Sequence, residues 1–200
     1  MPQSWWSEKR KILHHYDRLA RIYDSLYGEE QRSKIESILK ILKIGCEDLV
    51  LDLGCGTGLL IEYVAMKVNH FVGVDLSGES LKIAVERSRR LGVKQKVSLL
   101  QADVDNLPFR DDVFDKIFAL TLLQSLPEPC KTIYEIIWVT KSNSQVAVTG
   151  LKKHFTKEYF SRLISKIGCG YIFAEPHDII AVVKVDKVKN KYRQKEGIER

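Results

Sequence analysis

A chain of 200 residues with 44% hydrophobic side chains is long enough to bury one α/β core. No apolar run reaches the length of a membrane span, and the N-terminus is polar and charged where a signal peptide would be apolar, so a cytoplasmic protein without membrane contact is expected. The formal charge of +6 gathers at the ends: residues 1–20 carry four basic and two acidic side chains, residues 184–200 carry seven and three, and the body between them is neutral.

The first elements are helical. Tyr16, Ala20, Tyr23 and Tyr27 recur at helical spacing, which predicts one helix from about Glu8 to Leu26 with these residues on one face. Trp5 and Trp6, just ahead, read as a packing anchor or as a platform on which a base or partner stacks. An amphipathic helix from about Gln31 to Leu42 follows, with Ile35, Ile38, Leu39 and Leu42 on one side and Gly45 at its end. Beyond it the chain alternates: strands near 49–53, 70–75, 96–101, 114–120 and 144–150, helices near 59–67, 79–91, 128–140 and 156–167. Such alternation predicts a parallel sheet covered by helices on both faces. Two last strands, near 170–175 and 178–185, are separated by only Pro176-His177, too little for a crossover, so they form a hairpin.

The junction of the first strand with its helix reads Asp52-Leu53-Gly54-Cys55-Gly56-Thr57-Gly58. Three alternate glycines after an apolar run describe a tight strand-to-helix turn whose bare backbone lets a ligand approach free N–H groups. Asp75 ends the second strand nineteen residues after Gly56, placing a carboxylate where it can accept hydrogen bonds from ribose hydroxyls. The third glycine of the nicotinamide fingerprint is replaced by Leu59. Cys46, Cys55, Cys130 and Cys169 are scattered without paired spacing, so they read as buried thiols, with no metal site and no disulfide framework.

The spacing Asp52-x-Gly54-x-Gly56-x-Gly58, together with Asp75, Gln101-Ala102-Asp103, Leu107-Pro108-Phe109 and Phe114-Asp115, resembles the class I S-adenosylmethionine-dependent methyltransferases over roughly residues 45–150. The resemblance implies an α/β fold with a seven-stranded, mostly parallel sheet of order 3-2-1-4-5-7-6, the last strand antiparallel. It also implies a helical leader at 1–44, the methyltransferase domain at 45–185 and a basic tail at 186–200. S-adenosyl-L-methionine would be the cofactor and S-adenosyl-L-homocysteine the product. The implied cofactor positions are Tyr16, Tyr23, Asp52, Gly54, Cys55, Gly56, Thr57, Gly58, Asp75, Leu76, Asp103, Val104, Leu120 and Thr121. In this scheme Asp52 holds the glycine turn, Asp75 takes the ribose, and Asp103-Val104 takes the adenine. Tyr16-Asp17 and Tyr23-Asp24 resemble the leader that such enzymes lay over the cofactor, although an aromatic packing stripe reads equally well.

A sulfonium methyl is already activated, so the chemistry demands alignment more than a nucleophile or a metal. Gln124 and Thr121 are the polar candidates for orienting an acceptor. His154 in the basic loop Lys152-Lys153-His154 and His177 in the hairpin turn are candidate bases, as are Asp17 and the leader histidines His14 and His15, although ordinary loop histidines read as well. The Asn/Asp-Pro-Pro-Tyr/Phe motif of base-amine enzymes is missing after Ala119. The basic ends, the loop at Lys152 and the lack of a large lid insertion favour an RNA nucleotide as acceptor. The Tyr-Asp leader and the apolar Leu120 to Leu126 loop also fit a quinone-like or other small metabolite. A cofactor-binding subunit that needs an activating protein partner is a third reading.

Overall fold

The computed structural model describes residues 2–187, with side chains from residue 6 onward. Two helices come first, α1 (Pro2–Leu19) and α2 (Tyr23–Ile41). Strands β1 (Leu49–Leu53), β2 (His70–Asp75), β3 (Val97–Gln101), β4 (Phe114–Ala119) and β5 (Thr140–Leu151) are interleaved with helices α3 (Ile61–Val64), α4 (Gly78–Arg90) and α5 (Pro129–Val139). Helix α6 (Lys157–Ile164) then leads to β6 (Gly168–Ala174) and β7 (Asp178–Val185). The sheet order is β3-β2-β1-β4-β5-β7-β6, with β7 antiparallel to both of its neighbours and the other pairs parallel. Among the described residues no helix is long and apolar enough to cross a membrane.

The period of two along each strand divides the core between the two faces of the sheet. Leu51 and Leu53 of β1 join Ile117, Val146 and Phe160 under α5 and α6, while Val50 joins Phe71, Phe118 and Ala147 under α2 and α4. Strands buried on both sides need apolar residues at consecutive positions, which is why they read as short continuous runs. Strand polarity then places the loops after β1, β2, β3 and β4 at one end of the sheet, where open α/β sheets bind ligands.

The leader differs from its sequence reading. The expected helix from Glu8 to Leu26 is broken at Ala20 to Ile22, where Ile22 N–H donates to the Leu19 carbonyl (2.9 Å), and α2 runs unbroken from Tyr23 through Gly28 and Gln31 to Ile41. Two demands set the break. Tyr16 of α1 lines a cavity, while Ile35 and Ile38 of α2 lie buried against the sheet. A straight helix through Ala20 would not turn both faces inward. The tyrosines still cluster, with ring centroids 6.3 Å apart for Tyr16 and Tyr23 and 5.2 Å for Tyr23 and Tyr27.

Other readings also shift. Cys46 and Cys169 are exposed, and only Cys55 is fully buried, because Cys46 sits in the turn before β1 and Cys169 on the outermost strand β6. Trp6 is half exposed, with the Lys9 ammonium 5.9 Å from its ring, so it is not a buried anchor; the Trp5 side chain lies outside the described residues. The basic run Lys189 to Lys195 also lies outside them.

Ile38 is wholly buried between α2 and the sheet. Ile38→Ala is expected to cost about 2–5 kcal/mol through lost transfer energy and a residual cavity. Urea unfolding would show it as a lower midpoint with an unchanged slope.

Candidate active site

The glycine turn is held from the side by β2. Gly54 and Cys55 N–H both donate to the Val74 carbonyl (2.8 and 3.0 Å), and Gly56 N–H donates to Asp75 Oδ2 (2.8 Å). The other oxygen of Asp75 accepts from Ser77 N–H (2.7 Å), and Ser77 caps α4 through Ser80 N–H. Gly56 has φ +52°, and a Cβ there would meet nothing nearer than 4.0 Å, so it is the backbone angle that selects glycine. At Gly58, φ +79° combines with a Cβ position only 2.7 Å from Ile61 and 2.9 Å from Ala84, so α4 packs directly on this turn.

Asp52 does not hold the turn, contrary to the sequence expectation. It is almost fully buried, it lines the cavity, and its carboxyl has no hydrogen-bond partner among the described residues. Burial first, and then the neighbouring Asp75, push its pKa well above the usual carboxylate range. Asp75 is also raised, chiefly by burial, against the lowering effect of the N–H groups it accepts from. The buried Cys55 thiol is pushed up for the same reasons and is no nucleophile. A deep carboxyl without a partner beside free turn backbone is a place suited to a cationic group that would restore its charge.

The cavity lies over the ends of β1, β2 and β3 and beside the loop after β4. Every expected cofactor position except Gly58, which packs behind the turn, lines it. Its roof comes from the leader: Ile12, Leu13 and Tyr16 of α1, and Tyr23, Gln31 and Ile35 of α2. Tyr16 Oη lies 3.1 Å from Ser125 Oγ, which ties the roof to the loop after β4. Tyr23 has its pKa raised by burial first and by the adjacent Tyr16 next, so it stays a protonated donor.

Lys9 was not legible as a site residue. Its side chain is buried, and Nζ contacts both oxygens of Asp103 (2.7 and 2.6 Å) and Asp105 Oδ2 (2.6 Å). The carboxylate that the resemblance assigns to adenine therefore already carries a cation from the roof. The available signal was position: Lys9 lies three residues before Ile12 and seven before Tyr16, on the inward face of α1. Asp17, a candidate base, instead accepts from Ser77 Oγ (2.6 Å).

A second buried lysine supports the loop after β4. Thr121 lies at φ +54°, which is costly for a β-branched residue and persists only when neighbours enforce it. Here Thr121 N–H donates to Thr149 Oγ1 (2.7 Å), and its hydroxyl meets Lys34 Nζ (3.0 Å) and the Gln31 amide (3.1 Å). Lys34 also pairs with Asp178 (2.9 Å), with both side chains buried, and with Glu30 (3.0 Å). Gln31 and Lys34 share the stripe of Ile35 and Ile38, and polar residues on an apolar stripe are the sequence signal for this network.

The three candidate catalytic residues do not line the cavity. Gln124 donates back to the Thr121 carbonyl, which closes a one-turn loop. His154 and His177 lie on the far side of β5: Lys152 N–H donates to the His177 carbonyl (2.9 Å) and Lys152 Nζ to that of Pro176 (3.3 Å). The loop after β5 is thus bonded to the β6–β7 hairpin, and its residues do not line the cavity. His70 opens β2 at the opposite end, within 2.9 Å of Ser98 Oγ.

Comparison with known proteins agrees with this geometry. A family model described as a methyltransferase domain matches residues 47–191. The chain belongs to the S-adenosylmethionine-dependent methyltransferases. This methyltransferase is 30% identical over 149 residues, 74% of its length and 54% of the relative's, to a malonyl-[acyl-carrier protein] O-methyltransferase of a Marinomonas species. It is 28% identical to a demethylmenaquinone methyltransferase of Lactobacillus johnsonii, covering 69% of this chain and 57% of that one. It thus spans about half the length of the curated relatives it matches. A solved S-adenosylmethionine-dependent methyltransferase from Aquifex aeolicus shares the fold, with TM-score 0.68 at 20% identity over 76% of this chain and 89% of that one.

Two variants test the electrostatics of the methyltransferase site. A carboxyl whose folded pKa is raised binds its proton more tightly folded than unfolded, so stability falls as pH rises from the unfolded value of about 3.9 through the folded one. Asp52→Asn is therefore expected to stabilise the cofactor-free protein at pH 7, with the gain disappearing below about pH 4. Unfolding curves at the two pH values check this, and a gain equal at both would contradict the assignment. Lys34→Met leaves Asp178 buried without its cation and should cost about 3–5 kcal/mol. Lys34→Met/Asp178→Asn should recover part of that loss in the same unfolding assay.

Proposed function

We propose that the protein transfers the methyl group of S-adenosylmethionine to a small, largely apolar acceptor. The observation that carries this reading is the roof: α1 and α2 close over the cavity with Ile12, Leu13, Tyr16, Tyr23 and Ile35, while Leu122 and Leu126 form the wall after β4. A folded RNA would need an open, basic rim. The cationic side chain in the lining is Lys9, and Asp103 and Asp105 neutralise it. The basic loop at Lys152, offered for RNA from the sequence, does not line the cavity. The names of the relatives, a malonyl carrier-protein enzyme and a demethylmenaquinone enzyme, also favour the small-acceptor alternative over RNA.

In this reading the backbone of the glycine turn and the carboxyl of Asp52 receive the charged amino acid end of the cofactor. Asp75 takes the ribose, and Asp103, shared with Lys9, takes the adenine amine. The cofactor supplies an activated methyl bound to a sulfonium. The chain supplies alignment, holding the acceptor in line with the sulfur–methyl bond, which can remove roughly 7–11 kcal/mol of barrier in favourable cases. No histidine lines the cavity among the described residues. Tyr16 and Tyr23, which line the same space, are the orienting candidates.

The test is methyl-labelled S-adenosylmethionine offered with metabolite, RNA and protein fractions from cells lacking the gene, with Asp75→Ala as control. Label is expected in the metabolite fraction and should vanish in the control, which loses an acceptor for Gly56 and Ser77 N–H as well as for the ribose. Label entering RNA alone would overturn the reading. Cofactor binding without label in any fraction would point to a missing protein partner.

A further inference from the structure

The outer face of α1 and the corner joining it to α2 carry side chains that the cavity does not use. Lys9, Ile12, Leu13 and Tyr16 face inward, whereas Arg10, Lys11, His14 and Arg18 are exposed, and Arg21 continues them into the turn. The two acids of this stretch are engaged elsewhere: Asp17 by Ser77 Oγ, and Asp24 by Arg87 and Thr57 Oγ1. Between Lys9 and Gly28 every exposed side chain with a full charge is therefore basic, and the exposed acids Glu8 and Glu29 bound this stretch on either side.

The same corner displays apolar side chains in water. Ile22 is 49% exposed, Leu26 55% and Tyr27 42%. Ile22 and Leu26 stand one helical turn apart, with Leu26 N–H donating to the Ile22 carbonyl (3.1 Å). A solvated corner gains nothing from a bare isoleucine and leucine flanked by arginines. An apolar tip bordered by basic residues matches the two layers of a phospholipid surface, acyl chains beneath anionic headgroups. RNA fits less well: Tyr27 offers one aromatic face, but the more exposed Ile22 and Leu26 offer none and would stay in water while the arginines met phosphates.

We infer that this corner docks the protein on an anionic phospholipid surface, Ile22 and Leu26 among the acyl chains and Lys11, Arg18 and Arg21 among the headgroups. Tyr23, the next residue after Ile22, lines the cavity, so docking sets the cavity roof against the lipid. The inference rests on the small-acceptor reading for its purpose: an apolar acceptor dissolved in lipid would enter past the roof without crossing water.

The test is co-sedimentation of the full chain with vesicles of phosphatidylglycerol and phosphatidylcholine, and with phosphatidylcholine alone. Binding is expected on the anionic vesicles only and should weaken as salt rises. Arg18→Gln and Arg21→Gln should each weaken it about fivefold, and Ile22→Ser/Leu26→Ser roughly tenfold. All four positions are exposed, so S-adenosylmethionine affinity by calorimetry should stay unchanged and certify the fold. Absence of vesicle binding would overturn the inference. So would equal binding to neutral vesicles, or anionic binding that Ile22→Ser/Leu26→Ser leaves intact, which would assign it to another basic segment such as residues 188–200. Transfer RNA binding that needs Arg18 and Arg21 without any vesicle binding would overturn it in favour of nucleic acid. Vesicle binding is read without methyl transfer, so label found in RNA would defeat the small-acceptor reading while leaving this measurement to stand or fall separately.

Discussion

The guanidinium of Arg87 is the point at which the leader, the glycine turn and the first crossover are joined. It is buried on α4, donates through Nε to the Thr57 carbonyl (2.9 Å), and pairs with Asp24 of α2 and Glu62 of α3. A planar cation with five donors holds its three partners in the fixed directions of the guanidinium plane. Because Thr57 also donates its hydroxyl to Asp24 (2.6 Å), the start of α2 is fastened to the turn that lies under the cavity. The roof is therefore held by the same residues that shape the floor.

The cavity combines two kinds of carboxyl. Asp75 and Asp103 have their oxygens engaged, by turn N–H groups in one case and by Lys9 in the other, whereas Asp52 is buried and lacks a partner. Low dielectric makes an unpaired buried charge costly, so Asp52 is protonated more readily than a surface aspartate and is poised to gain from an incoming cation. The sulfonium cofactor of this family carries positive charge. Lys9 has the opposite bearing: it neutralises Asp103 and Asp105 and in doing so holds α1 down over them.

Much of the fold was readable because the β-α alternation is written in short apolar runs between breakers. Asp52 to Gly58 and Asp75 signalled the cavity floor, since a glycine turn and a carboxylate at the tip of the next strand are placed together by the local chain. The acceptor end was not readable. Gln124, His154 and His177 read as candidates because polar residues near a strand end look available, but none of them lines the cavity. Gln124 is spent on the Thr121 carbonyl. Lys9 and Lys34 were passed over because an isolated lysine ordinarily reads as solvated.

By itself the sequence determined the alternation of strands and helices, the closing hairpin and the glycine turn after β1, because periodicity and turn chemistry are local properties that short windows record; the strand order was implied only by the resemblance to a family. Only the tertiary structure decided that α1 and α2 fold over the cavity as a roof, that Lys9 and Lys34 are buried, and that the two loop histidines face elsewhere. These depend on contacts such as Lys9 with Asp103 and Lys34 with Asp178, between residues remote in the chain. Whether a polar side chain is solvated or buried is set by what packs against it, and no pattern within its own helix specifies that partner.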